Sequence, residues 1–206
     1  MTIWGKVSAQ FGKPSGPLGS LAGTIMARRR SNVERNTWVI SLLDLKPTDR
    51  VMEIGFGPGI AIQQAAQSVK AGSILGIDHS RVMLRQASRR NREALSTGRV
   101  TLLLGSVADI PPLEWPVNKI LAVNSFQFWD APGMRLLKLR TCMEAGGMIA
   151  LAHQPRKPGA TDDDAKEAGK IMARFLEEAG FVDISVRTKI MKPVATVCAL
   201  GRNPDV

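Results

Sequence analysis

Tyrosine is absent from this 206-residue chain, and histidine and cysteine occur only twice each, as His79, His153, Cys142 and Cys198. A reaction that depends on a strong general acid or base therefore has few residues to draw on. The cysteines lie far apart, with neither a second cysteine nor a histidine at ligand spacing, so the sequence predicts no disulfide framework and no metal site. Acidic residues are also scarce, 18 against 28 basic ones, and the formal charge of +10 favours anionic partners without saying which. No stretch approaches the roughly 18 consecutive apolar residues that cross a bilayer. The opening Met1-Thr2-Ile3-Trp4-Gly5-Lys6 lacks the apolar core of a signal peptide. A soluble, cytoplasmic protein is expected. The length suits one domain with a decorated terminus, and 44% hydrophobic with 22% charged residues excludes wholesale disorder.

The first 46 residues differ from the rest. Leu18, Leu21, Ala22, Ile25 and Met26 fall at i, i+3, i+4, i+7 and i+8, the stripe of an amphipathic helix, which runs into Arg28, Arg29 and Arg30. A second helix carries Trp38, Leu42 and Leu45 with Val39 and Leu43 beside them, and stops before Pro47. Residues 1–46 thus read as a helical extension or lid, and 47–206 as the core domain.

From Arg50 onward short apolar runs alternate with helical patterns, the signature of an α/β, Rossmann-like, doubly wound and mostly parallel sheet. Strands are expected at Val51–Ile54, Ser73–Asp78, Val100–Leu104, Ile120–Val123 and Met148–Ala152. Val182–Val186 and Ala195–Leu200, with no room for a helix between them, should close the sheet as an antiparallel hairpin. One helix is expected from Ser80 through Leu95. Another starts at Asp130 and Pro132, with Asp130 as its cap, and carries Leu136, Leu139 and Met143 to an end at Gly146-Gly147. Thr161 and Asp164 form a capping box pattern before a third.

The most specific stretch is Val51-Met52-Glu53-Ile54-Gly55-Phe56-Gly57-Pro58-Gly59, where a strand turns into a helix at the carboxyl edge of the sheet. Closely spaced glycines let the backbone bend and approach a ligand without a Cβ in the way. Nineteen residues after Gly59, Asp78 ends the second strand, placed to accept hydrogen bonds from ribose hydroxyls. These features predict a nucleoside-type cofactor. The dinucleotide pattern G-x-G-x-x-G requires glycine or alanine where Ile60 stands. Together with the absence of tyrosine and of a lysine partner at the sheet edge, this argues against a nicotinamide-dependent oxidoreductase.

G-x-G-x-G preceded by Glu53 resembles motif I of the class I S-adenosylmethionine (SAM)-dependent methyltransferases, and the order of elements resembles that family over roughly residues 47 to 201. The resemblance implies SAM as cofactor, S-adenosylhomocysteine (SAH) as product, and the class I methyltransferase fold with its closing hairpin. By it Gly55, Phe56, Gly57 and Gly59 would line the methionine part of the cofactor, Glu53 would support the loop, and Asp78 would hold the ribose, with His79 at the cofactor's edge. Gly105-Ser106-Val107-Ala108-Asp109-Ile110-Pro111 resembles the adenine-binding loop, although Ser106 stands where an acidic residue is usual. Asn124, after the fourth strand, would contact the cofactor's amino acid portion and face the substrate.

Phe128, Trp129 and His153 are candidate substrate contacts, with core packing the alternative for one of the aromatics and a structural role the alternative for His153. Methyl transfer needs alignment and desolvation more than a strong base, so no catalytic residue is assigned. Asn124-Ser125-Phe126-Gln127 lacks the paired prolines of families that methylate exocyclic amines, which counts against DNA. The leading substrate expectation is a small metabolite, anionic or aromatic. A membrane phospholipid is an alternative, because residues 18–30 resemble an interfacial helix beside a polybasic patch and suit an anionic membrane surface. RNA is a weaker one, suggested by the stripe Arg81, Arg85, Arg89 and Arg92. A non-catalytic SAM-binding protein is the alternative of another class.

Overall fold

The computed structural model describes residues 30–205, and the stripe from Leu18 to Met26 lies outside them. Within that range the chain forms β1 (Arg50–Ile54), β2 (Ser73–Asp78), β3 (Val100–Leu104), β4 (Val117–Val123), β5 (Met143–His153), β6 (Val182–Lys189) and β7 (Thr196–Arg202). The helices are α1 (Arg30–Leu43), α2 (Ile60–Ser68), α3 (Arg81–Arg90), α4 (Arg92–Ser96), α5 (Pro132–Thr141) and α6 (Asp162–Glu178). One sheet runs in the order β3-β2-β1-β4-β5-β7-β6. The five central and left-hand strands pair in parallel, and β7 runs antiparallel to both β5 and β6. The chain reverses its direction of travel across the sheet between β1 and β4, which opens a crevice at their carboxyl ends.

Helices cover both faces, so the central strands are apolar on both sides. Along β4, Ile120 and Ala122 pack with Leu136, Leu139, Met172 and Leu176 of α5 and α6. Leu121 and Val123, pointing the other way, pack with Val39, Leu43, Ile62 and Val82 of α1, α2 and α3. The capping box at Thr161 and Asp164 forms and starts α6.

Several local readings are corrected. The helix expected to run to Gly146-Gly147 ends at Thr141, and Met143 is already in β5, opposite Val117. The two glycines instead form an irregularity in β5, where the register against β4 shifts between Val117 and Lys119 and Gly146 takes φ +72°. Asp130 does not cap α5. Ala131 occupies that position with φ +45°, while the exposed Asp130 pairs with Arg135 at 2.7 Å. The single helix expected over 80–95 breaks at Asn91, whose buried side chain amide donates to the Ala87 carbonyl (2.9 Å) and the Gly59 carbonyl (3.1 Å). Local side chain to backbone bonding of this kind competes with helix continuation.

On α1 the buried line is Asn32, Arg35, Asn36, Val39 and Leu43, whereas Trp38 and Leu42 of the expected stripe are only half-buried. Three polar residues therefore continue the apolar line inward. No helix among the described residues is long and apolar enough to cross a membrane.

Candidate active site

A cavity of about 950 Å3 opens at the carboxyl ends of β1, β2, β4 and β5. Its floor is the loop between β1 and α2. Gly55 has φ +77°, and a Cβ there would stand 2.4 Å from the Ser125 Cβ, so β1's loop and β4's loop interlock at the switch point. Ser125 fastens them, its hydroxyl donating to the Ile54 carbonyl at 2.6 Å. Gly57 has φ +53° and faces open space, where a Cβ would meet nothing within 4 Å. Gly59 does not line the cavity. With φ +77° it turns the chain into α2 directly against Ala87 and Asn91 of the neighbouring helical segment, where a Cβ would meet atoms at 2.7 Å. Phe56 lies on the cavity's wall but buries its ring in the core beneath.

Two buried carboxylates stand behind this loop. Asp78 accepts from the Gly57 N–H and the Ser80 N–H, both at 2.8 Å, so it fixes the loop while lining the cavity. Burial raises its pKa. Glu53, 2% exposed, accepts from the backbone of Ile62 in the first turn of α2, a helix with no side chain cap of its own. Burial, with the nearby charge of Asp78 second, pushes Glu53 up to about 8, and its Oε2 has no hydrogen-bond partner. Glu53 therefore holds its proton near neutral pH in the ligand-free chain, and a cationic ligand group beside the pair would favour ionisation where a pyrophosphate would oppose it.

The loop after β3 is held by Asp109. Its Oδ2 accepts from the Ser106 N–H (2.9 Å) and the Ser106 hydroxyl (2.7 Å), and these bonds hold its carboxyl below the usual range. Ser106 Oγ in turn accepts from Ala108 N–H at 3.1 Å. The carboxylate missing at position 106 is thus present three residues on, as the organiser of the loop. Ser106 and Val107 line the cavity, and His79 stands exposed at its rim.

Opposite the glycine loop, Asn124 takes φ +54° and accepts from Gln154 N–H at 2.7 Å, tying the end of β4 to the end of β5. Phe128 is 52% exposed at the mouth, while Trp129 packs on the core, edge to face with Phe126 at 5.2 Å. Both line the cavity, as does His153. Burial, then Arg35 and Arg156, depress the His153 pKa to about 4, and its Nδ1 is buried without a partner. The ring is neutral at pH 7.

The remaining wall comes from residues that no sequence motif marked: Asn32, Arg35 and Asn36 on α1, and Gln154 and Arg156 after β5. The available signal was their spacing. Asn32, Arg35 and Asn36 continue the register of Val39 and Leu43, so a helix buried by that apolar stripe must bury them too. Asn91 and Ser125 were missed for another reason, since each acts on a loop distant in sequence. Among the described residues no group of three or more His, Cys, Asp or Glu is arranged to hold a metal ion.

A seven-stranded sheet with a reversed final hairpin, a glycine loop at the switch point and an acid ending β2 together define the Rossmann-like methyltransferase architecture. Comparison with known proteins agrees. A family described as "Methyltransferase domain" matches residues 51–147. The Bacillus subtilis (strain 168) protein "Uncharacterized methyltransferase YdaC" is 32% identical over 184 residues, covering 89% of this chain and 98% of that one. Among solved structures, a SAM-dependent methyltransferase from Aquifex aeolicus superposes with a TM-score of 0.67 at 20% identity, covering 87% of this chain and 97% of the other. The N-methyltransferase NodS from Bradyrhizobium japonicum WM9, bound to SAH, gives 0.69 at 14% identity, covering 86% and 90%. The chain belongs to the class I SAM-dependent methyltransferase family. Its residues fit the cofactor: the unpartnered Glu53 Oε2 and the buried Asp78 carboxyl are left for a ligand to engage, a positively charged one would favour their ionised forms, and Gly57 leaves open space over the loop.

Proposed function

We propose that this methyltransferase modifies a small molecule enclosed between the glycine loop and α1, with α1 forming part of the cover. The observation that carries this reading is the continuity of the cavity. One half is walled by Glu53, Gly55, Gly57, Asp78, Ser106 and Val107, the other by Phe128, Trp129, His153 and Arg35. Ligand pockets typically measure about 300 to 1,000 Å3. At about 950 Å3 this one has room for a nucleoside cofactor and a small acceptor together.

Bound SAM supplies an electrophilic sulfonium methyl. The chain's own contribution is to exclude water, to orient the acceptor and to handle its proton. Phe128 and Trp129 offer apolar surface at the mouth, and Asn124 in its left-handed conformation stands between the two halves. His153 is neutral, so it presents an uncharged ring to an acceptor N–H or O–H without repelling a cationic cofactor. Asp78 and Glu53 belong to the cofactor half, and His79 to its edge.

The test begins with calorimetry of SAM and SAH. Asp78→Ala removes a ribose acceptor and also the acceptor of the Gly57 N–H, and should weaken SAH at least ~10-fold, about 1.4 kcal/mol. Methyl transfer is then followed from labelled SAM into a metabolite extract, RNA and anionic liposomes. Incorporation into small molecules supports the reading. Incorporation into RNA or lipid alone would sink it.

A further inference from the structure

We infer that the α1 side of the cavity is a built receptor for one carboxylate or phosphate group of the methyl acceptor, with Arg35 as its principal donor and Arg156 as the second. This deepens the small-molecule reading and rests on it.

Arg35 is 2% exposed, yet it forms no ion pair with any carboxylate among the described residues. Residues 1–29 contain no Asp or Glu at all. Its guanidinium donates to two neutral groups, Gln154 Oε1 at 2.7 Å and Asn32 Oδ1, and its Nε is buried with no partner. The charge that acts on it is Arg156, of the same sign, and burial with this repulsion lowers its pKa to about 9. An isolated buried charge is costly, and an apolar side chain of similar shape would remove that cost. Retaining a guanidinium here makes sense if an anion enters and pairs with it.

The donor is also preorganised. Gln154, itself 1% exposed, donates from Nε2 to the Val194 carbonyl (2.8 Å) and the Lys192 carbonyl (3.4 Å) and from its backbone to Asn124 (2.7 Å), so the oxygen that orients Arg35 is fixed. Arginine's fork matches carboxylate and phosphate oxygens in pairs. Position separates this receptor from the cofactor carboxylates. Arg35 and Arg156 act on His153, at the end of β5, whereas Glu53 and Asp78 lie at the ends of β1 and β2 on the glycine-loop side. Asp164, the acid on the same wall, is occupied by Lys157 at 2.6 Å and by Thr161. An anion bound here lies beside His153, where the acceptor stands. The amino acid carboxylate of the cofactor is the other source of the same chemistry, and the experiment separates the two.

SAH-saturated and ligand-free protein are titrated with inorganic phosphate and with acetate by calorimetry, for the wild type, Arg35→Met, Arg35→Lys and Arg156→Gln, with thermal melts of each. The SAH complex of the wild type should bind an anion saturably, ~10-fold more weakly after Arg35→Met and a few-fold more weakly after Arg35→Lys or Arg156→Gln. SAH affinity should stay within about 3-fold throughout. The imidazole resonances of His153 should shift on anion addition, a response that a merely structural Arg35 would not produce. Arg156 is exposed, so its variant carries the test if Arg35→Met fails to fold. Phosphate competing with SAH, or Arg35→Met weakening SAH but not methylthioadenosine, which lacks the carboxylate, would assign the arginine to the cofactor and overturn the inference. So would SAH binding with no saturable anion binding. Failure of SAH itself to bind would instead bring down the underlying site.

Discussion

Two titratable residues, the buried Glu53 and the half-buried His153, give opposite pH dependences to folding. Glu53 is raised from 4.5 to about 8, so the folded chain holds a proton that the unfolded chain releases. Its stabilisation is complete below pH 4.5 and is lost as pH rises to about 8. His153 is lowered from 6.5 to about 4, so it stabilises above pH 6.5 and that contribution is lost as pH falls toward 4. Each proton is worth about 1.4 kcal/mol per pH unit. Between 4.5 and 6.5 these two slopes oppose, and from 6.5 to 8 the Glu53 slope stands alone. Asp78, raised for the same reason, adds to the Glu53 side at lower pH. Glu53→Gln keeps an acceptor for Ile62 but removes the titration. It should raise the melting temperature of the ligand-free protein at pH 8 by about 10 to 20 °C, while changing it little at pH 5. Melts across that range check the prediction, and an unchanged slope between 6.5 and 8 would place the titration elsewhere. His153→Gln should remove the loss below 6.5 and leave the alkaline side intact.

At the scale of elements, the site depends on loops held to one another by contacts remote in sequence. Gly55 and Gly57 both have positive φ, but only Gly55 faces another loop. Gly55→Ala adds a clash with Ser125 to the backbone strain and should lower stability by about 2 to 4 kcal/mol. Gly57→Ala carries the strain alone, about 1 to 2 kcal/mol, and its methyl stands over the open loop, so it should cost SAH affinity more than fold. Denaturant unfolding beside SAH calorimetry separates the two, and equal stability losses would contradict the interlock. Asn91→Ala leaves the Gly59 carbonyl without its side chain donor and should cost about 1 kcal/mol. The strand to glycine loop to helix unit was legible because its signal is local: an apolar run, then Gly55, Gly57 and Gly59, then Asp78 one unit later. The end of α5 was not. A glycine pair reads equally as a helix terminus or as a strand irregularity, and pairing of Met143 with Val117 decided it. Asn91 in the middle of a helical pattern likewise gave no local sign that its amide was needed beneath Gly59.

Across the whole molecule, charge and site act at different ranges. The net charge of +10 is spread over solvated faces such as Arg81, Arg85, Arg89 and Arg92, where salt screens it within about 10 Å at 0.1 M. The cavity lies inside the fold, roofed by α1, which packs on α2, β4 and β5 and is pinned by Arg35 to Gln154 and by Glu34 to Lys189 at 3.3 Å. The fold class was readable because alternation of strand and helix patterns is a property of the entire chain. The roof was not, because its purpose appears only once Arg35 reaches the end of β5, 119 residues away. This separation makes the two kinds of binding distinguishable. Association of RNA or anionic vesicles with the basic surface should fall by ~10-fold or more between 50 and 500 mM salt, as counterion release requires. SAH, enclosed and of little net charge, should change by less than about 3-fold over the same range. At about 100 times its dissociation constant it should still add about 2.7 kcal/mol, some 5 to 10 °C in melting temperature. Melts with SAH at both salt concentrations, beside filter binding of a random RNA, make the comparison. A thermal shift from SAH that collapsed with salt would mean that the cofactor is held by the surface field and not by the buried loop of Gly55, Gly57 and Asp78.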